Sequence, residues 1–451
     1  MISMAKYIST VVIPLMVISC VEPFDAASEI ETGGDLEGAL IVESNITNVE
    51  KTQKVYLSRM QRVESDSTVN VEEERLFNAT TPIIIERGLE TNYESGAQVV
   101  VTDNNGNSYV FQETEEGTYE SEIAFAAMPN TSYQLAITTA DGEHYESEAM
   151  ETPEVALIDN LYVERMESGS GQDGVGIFVD ASFSDGGAKL LRYNYEETYK
   201  IIAPKWTAFE FEIIREDREQ IEYSNGETEV LHPDVRLVPR AREERVCYRT
   251  DLSNEEVLLN ANVLSGTVAK KNLVRFISNQ NPIISHRYSI LVKQMAVSAK
   301  SYEFYERLVA FSQSESLFSQ IQPGRLEGNV LDVDGSTTVI GFFDVSTEVQ
   351  QRLYFNYEDL FPGEPLPPYF GEFDCERPVS PQIPNPERDG PTPPLDKCPQ
   401  DLITRVKLGL VEYWEDNYDP GLCEGPYWVV PAICGDCNVV GSNIVPDFWE
   451  E

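Results

Sequence analysis

The stretch Ala97–Thr114, AQVVVTDNNGNSYVFQET, sets Asn105-Gly106 between two runs rich in Val, Tyr and Phe. Glycine accepts the positive φ that a tight turn needs, and β-branched and aromatic side chains suit a half-buried pleated surface, so the stretch reads as a β-hairpin. The same unit recurs on both sides. ALIVESNIT and QKVYLSRM come before it; GTYES and TSYQLAITTADGEHYESEAM, with a second turn at Asp141-Gly142, come after. About seven short strands in little over a hundred residues imply an immunoglobulin-like β-sandwich over 39–152.

Glu151–Val155, ETPEV, reads as the joint to a larger β-rich domain at 155–451, where NLYVERM, VGIFVDASFSD and AKLLRYNYEETYKI are again strand-like. One segment departs from this pattern. Between 298 and 318, Tyr302, Tyr305, Leu308, Val309 and Ser312 recur at helical spacing, which predicts the chain's principal α-helix, with Ser298 or Ser301 as N-cap and an aromatic stripe packed on a sheet. The following GRLEGNVLDVDGSTTVIGFFDVST returns to strands around a turn at Asp334-Gly335. Residues 362–399 hold twelve of the 26 prolines. Proline has no N–H to give a ladder, so this stretch is a long loop and supplies no central strand.

The first residues, MISMAKYISTVVIPLMVISCVEPFD, place one Lys before an apolar run from Ile8 to Ile18 that ends in Ser19-Cys20. The run is shorter than the roughly 20 residues that span a bilayer. It has the form of a signal peptide over 1–19, and Val17-Ile18-Ser19 before Cys20 fits a bacterial lipobox whose cysteine is acylated. Cys20 is therefore the expected lipid anchor and the lipid bilayer an expected partner. An ordinary signal peptide cut near Ser19 is the alternative. Residues 20–38, acidic and without periodicity, then form a tether between lipid and body.

Composition adds exclusions. With 77 acidic and 33 basic residues the formal charge is −44, and no basic cluster is available to displace counterions from phosphates, so nucleic acid is not a partner. The acidity suits a solvated surface in a saline habitat, or a field that recruits cations or a basic partner. Composition leaves both open.

Six cysteines follow Cys20: Cys247, Cys375, Cys398, Cys423, Cys434 and Cys437. In an exported chain an even number reads as a disulfide framework. Zinc binding and redox chemistry are the alternatives for Cys434-Gly-Asp-Cys437. Zinc would need a second such pair or a nearby His, and the three histidines, His144, His232 and His286, lie far upstream; redox chemistry would need a thioredoxin-like context. A bridge across two residues is strained, so Cys434 and Cys437 are expected to reach Cys423 or Cys247, while Cys375 with Cys398 closes the Pro-rich loop. The terminal Ile444, Val445, Phe448 and Trp449 are expected to bury against the second domain.

Catalytic and metal motifs are absent from the sequence. Asp332–Gly335 gives D-x-D-G, but Phe343 stands where a calcium loop needs its bidentate Glu, and a hairpin turn accounts for the motif. There is no G-x-S-x-G or H-E-x-x-H. Trp414 and Trp428 could stack on a sugar or other planar ligand, with core packing as the alternative. No catalytic residue, metal ligand or cofactor is expected.

The lipobox followed by CVEPF, the early IVESNITN, the hairpin GAQVVVTDNNGNSYVF, the segment SYEFYERLVAFSQSESLFSQIQPGRLEGNV, the strand GFFDVST and the terminal CGDCNVVGSNIVPDFW together resemble the Bacteroidota lipoproteins grouped as domain-of-unknown-function family 4249. The resemblance implies an outer-membrane-associated lipoprotein of the kind often encoded beside TonB-dependent receptors. It carries over no catalytic residue. The expected function is a non-enzymatic binding or interaction accessory, with a TonB-dependent nutrient-uptake receptor as partner; a surface hydrolase acting on a glycan and a structural envelope protein are the alternatives.

Overall fold

The computed structural model describes residues 38–60, 92–184, 187, 189–216, 219–225, 227–253, 255–264, 266–312, 328–335, 339–370, 374–383, 402–421 and 423–451. The expected signal peptide, Cys20, nearly all of the expected tether and Cys398 lie outside them. The chain is mainly β, as the turn pattern requires.

In chain order, the first strands are β1 (Leu40–Thr47), β2 (Lys54–Arg59), β3 (Asn92–Tyr93), β4 (Gln98–Asp103), β5 (Ser108–Glu115), β6 (Thr118–Ser121), β7 (Ser132–Thr138), β8 (His144–Ser147) and β9 (Met150–Glu151). Asn105-Gly106 makes the β4–β5 turn and Asp141-Gly142 the β7–β8 turn, with both glycines at φ near +90° (89° and 92°), where a Cβ is disfavoured. Along these strands alternate side chains turn inward, which gives a core of Leu40, Val42, Val99, Val101, Tyr119, Leu135 and Tyr145.

The middle of the chain supplies β10 (Leu157–Glu167), β11 (Asp173–Ser182), β12 (Leu190–Ile202), β13 (Phe209–Arg215), β14 (Glu219–Glu222), β15 (Thr228–Leu231), β16 (Asp234–Pro239), β17 (Val246–Leu252), β18 (Val257–Asn260), β19 (Val268–Ser278) and β20 (Arg287–Ala296). Then come α1 (Ala299–Ser312), β21 (Val330–Asp332), β22 (Val339–Asn356), α2 (Tyr357–Leu360), α3 (Leu402–Lys407), β23 (Val411–Asp416), β24 (Tyr427–Pro431) and α4 (Ala432–Gly435). The three-stranded sheet β10-β11-β19 faces the run β17-β12-β20-β22 across a second core, in which Val175, Ile177 and Val179 meet Tyr193, Tyr199 and Ile290. A bidentate ion pair spans that core: Arg275 donates to both Glu197 oxygens, and the Tyr288 hydroxyl donates to one of them at 2.7 Å.

The 18 residues of β22 join the two cores. Its first half runs parallel to β1, Leu40↔Val339 through Thr47↔Ser346, and its second half runs antiparallel to β20. Phe342, Phe343 and Val345 therefore fill the first core from the far end of the sequence. The first sheet follows one path, β22-β1-β2-β6-β5-β4-β7-β8-β21. A side chain closes it: the Asn329 amide donates to the carbonyl of Phe343 and accepts from its N–H, both at 2.8 Å. Gly341 makes the crossing passable, because at φ +115° a Cβ there would lie 1.9 Å from the Val42 carbonyl oxygen.

Ser298 caps α1, its hydroxyl accepting from the Ser301 N–H at 3.1 Å, and Tyr302, Phe304 and Tyr305 are buried against the strands. The expected end of this helix, 313–318, lies outside the described residues. Three short helices were not foreseen in the sequence: α2, α3 and α4 fall where proline or cysteine spacing hides any 3.6-residue period. The described part of the Pro-rich stretch pairs only through an isolated bridge, Val379↔Val429. Together with the insertion between β12 and β17 and the hairpin β23–β24, it encloses a small third cluster around Val235, Leu402, Val411 and Val429.

Candidate functional site: the outer sheet face and its closing segment

Cys437 is bonded to Cys247 on β17, and Cys434 to Cys375. Cys423 is also in a disulfide. The expected partner of Cys375 was Cys398, and this is corrected: loop closure within the Pro-rich stretch gives way to a bridge that ties it to the C-G-D-C turn, where α4 brings Cys434 within a Cα separation of 5.6 Å. Cys434 likewise reaches neither Cys423 nor Cys247. Beneath the turn lies Arg240, almost fully buried, which contacts Glu244 at 2.5 Å, Glu412 at 2.6 Å and Asp436, the acid of the motif, at 4.0 Å. Burial pushes the Glu412 carboxyl up to about 7, with Asp436 and Glu244 adding to the shift and Arg240 opposing it.

A second buried knot sits between the two cores. Asp344 on β22 accepts from Ser301 on α1 at 2.8 Å and lies 3.7 Å from Arg192 on β12, whose guanidinium also stacks 4.0 Å from the Tyr305 ring centroid and contacts Glu256 at 3.3 Å. Burial raises the pKa values of Asp344 and Glu256. In each knot the perturbed carboxylates are held on an internal arginine.

The exposed chemistry lies on the outer face of β17-β12-β20-β22, opposite the second core. Register sets the row. Lys200 on β12 is level with Tyr248 on β17, and Arg287 on β20 with Asn356 on β22; Lys200 follows the last β12–β20 partner pair, Tyr199↔Tyr288, and so stands beside Arg287. The next row holds Thr198, Ser289 and Tyr354, and Arg352 follows on β22. Thr198 and Ser289 are fully buried although they face away from the core. The covering is the segment from Gly441 to Glu451.

Trp449 stands between two tyrosines, 4.9 Å from the Tyr248 ring and 6.3 Å from that of Tyr354, both edge-on. The Arg352 guanidinium lies 3.7 Å from the Phe448 ring centroid, a cation–π contact, and donates to the Ser289 hydroxyl at 3.0 Å. Tyr354 donates to the Phe448 carbonyl and Arg287 to that of Glu450. Lys200 Nζ reaches both Glu451 carboxylate oxygens at 3.0 Å, which holds that carboxyl below its usual range. Next to this contact a cleft of about 340 Å³ opens between Lys200, His286, Arg287, Glu358 and Glu451, at the small end of the size that takes a small molecule. Burial, and then Lys200, hold the His286 imidazole below its usual range.

Of the four tail residues expected to bury, Trp449 is partly buried on this face, and Phe448 packs there against Arg352 while staying 38% exposed. Ile444 and Val445 do not: they are 75% and 53% exposed, because the segment bridges from its disulfide to the sheet through solvent. Trp414 and Trp428 stand on the hairpin β23–β24, both partly buried; Trp414 packs on the cluster around Cys375 and Cys434 with Lys205 Nζ 5.1 Å from its ring. Neither lines the cleft. Asp332–Gly335 is a turn in which Asp332 accepts from the Asp334 N–H at 2.9 Å. Among the described residues, no group of three His, Cys, Asp or Glu is placed to hold a metal ion. The residues that build this face, Lys200, Arg287 and Arg352, were not foreseen; the only signal for them was the scarcity of basic residues in so acidic a chain.

A family model, Domain of unknown function (DUF4249), matches residues 22–352. The chain belongs to that family. The DUF4249 match takes in the first core, the facing sheets of the second core except for the end of β22 beyond Arg352, and every cation of the outer face; the C-G-D-C turn and the closing segment come after it. None of the curated proteins compared with this DUF4249 chain matches it.

Proposed function

We propose that the chain is a non-enzymatic binding or interaction accessory, anchored to the outer membrane through acylated Cys20 and serving a TonB-dependent nutrient-uptake receptor. The observation that carries the non-enzymatic half is the use made of its ionisable groups. Perturbed carboxylates mark catalytic sites when they face a cleft; here Glu412, Glu256 and Asp344 are spent on Arg240 and Arg192 inside the fold. The cleft holds two carboxylates as well, but Glu451 is paired with Lys200 and Glu358 accepts from the Gly363 N–H, an arrangement that supports binding and orientation over glycoside hydrolysis. Anchoring draws its support from the lipobox ending at Cys20 and from family membership.

Co-purification from native membranes tests the reading. A receptor retained with the wild-type chain and lost from membranes lacking it is the expected result, together with impaired growth on one nutrient after gene deletion. Hydrolysis of that nutrient by the purified protein would replace this reading with the hydrolase one.

A further inference from the structure

The closing segment is fixed unequally along its length. Its root is held twice: by the Cys247–Cys437 bond, and by Ser442, which exchanges both main-chain hydrogen bonds with Tyr248 at 2.8 and 2.9 Å. Its tip, Phe448–Glu451, is held by side chains: Arg352 on Phe448, Tyr248 and Tyr354 on Trp449, Arg287 on the Glu450 carbonyl and Lys200 on Glu451. Ile444 and Val445 in between are exposed. Lifting the tip therefore breaks no strand ladder and opens none of the cores. It uncovers three cations and two tyrosines on one face of a chain whose formal charge is −44.

We propose that this outer face is a docking site for an extended, acidic segment of a partner protein carrying adjacent aromatic residues, and that Phe448–Glu451 occupies it as an internal competitor. The chemistry of the occupant is read from the contacts. Lys200 and Arg287 select a carboxylate and a backbone carbonyl, Arg352 selects a ring face, and the two tyrosines bracket a second ring. A small anion would satisfy the cations but leave both aromatic positions empty. The partner's identity as a protein rests on the accessory role proposed above, whereas the exchange of occupant can be read without any receptor.

A tethered competitor acts at an effective concentration in the millimolar range, so a free segment of equal affinity loses to it until the tip is released. The experiment replaces the exposed Ile444-Val445 by a protease site, cuts after folding and oxidation, removes the tip, and titrates a labelled peptide of the sequence Pro446–Glu451. Binding by the cut protein, at least about tenfold weaker binding by the uncut protein, and a further loss of about tenfold for Arg352→Gln in the cut form are expected. Inorganic phosphate at matched ionic strength should not displace the peptide. Trp449→Ala in the uncut chain keeps the backbone in place and should raise peptide affinity. A cut protein that stays folded and does not bind, equal binding to cut and uncut forms, or loss of the cooperative melt on cutting would each overturn the proposal.

Discussion

Arg240 and Glu412 meet at 2.6 Å under the C-G-D-C turn, and the carboxylate of Asp436 within that turn stands 4.0 Å from the same guanidinium. The motif is thus placed over a buried cation shared by three acids, Glu244 being the third. Close approach is built in, since a Cβ on Gly435 would lie 2.5 Å from the Glu412 side chain.

The first prediction follows from Glu412. Its folded pKa, about 7, is above the ordinary carboxylate value. The folded state therefore holds a proton that the unfolded chain has released, and stability from this group is complete below about pH 4.5 and lost as pH rises to about 7. A shift of this size corresponds to about 3 kcal/mol. Glu412→Gln removes the titration. Chemical denaturation at pH 4.5 and pH 8 should show the wild type losing stability relative to the variant as pH rises; a pH-independent difference would refute the buried titration.

The Cys247–Cys437 and Cys375–Cys434 bonds should not contribute equally. Cys247–Cys437 closes 190 residues and Cys375–Cys434 closes 59. Each restricts the unfolded chain by about 2 to 5 kcal/mol, and the longer loop adds about 1 kcal/mol over the shorter. Thermal melts of Cys437→Ser and Cys434→Ser should rank in that order, and non-reducing peptide maps should recover the two cross-links.

Asn329 closes the first sheet on Phe343, whose surroundings are fully buried. Asn329→Leu keeps the volume but leaves a buried N–H and a buried carbonyl without partners, at a cost of about 2 to 4 kcal/mol. Urea midpoints would measure this loss. A change below about 0.5 kcal/mol would mean that solvent reaches the seam.

Anchoring is tested at Cys20. Cys20→Ala should move the protein from the membrane to the soluble fraction, as measured by fractionation with and without detergent. Continued detergent dependence would remove the lipid anchor from the functional reading.

Local chemistry made much of the fold legible. Asn105-Gly106, Asp141-Gly142 and Asp334-Gly335 dictate turns through a backbone angle that neighbouring residue types disfavour, and the runs between them alternate as half-buried strands do. Ser298 and the aromatic spacing after it dictated a helix for the same reason: each preference acts within a few residues. The short helices carry no such period, and β13–β16 have mixed, exposed faces whose partners lie elsewhere in the chain.

Tertiary structure decided everything that depends on distant partners. VIGFFDVST reads as a strand, but not as one that would run parallel to Leu40–Thr47, about 300 residues earlier, and continue through EVQQRLYFN antiparallel to β20; register is chosen by which buried faces meet. The cysteine count implied bridges, whereas the partners of Cys375 and Cys434 depended on where α4 places the turn. PDFWEE declared itself apolar and acidic. Only the sheet could set Lys200, Arg287 and Arg352 beneath it, because residues remote in sequence become neighbours through strand register rather than local propensity.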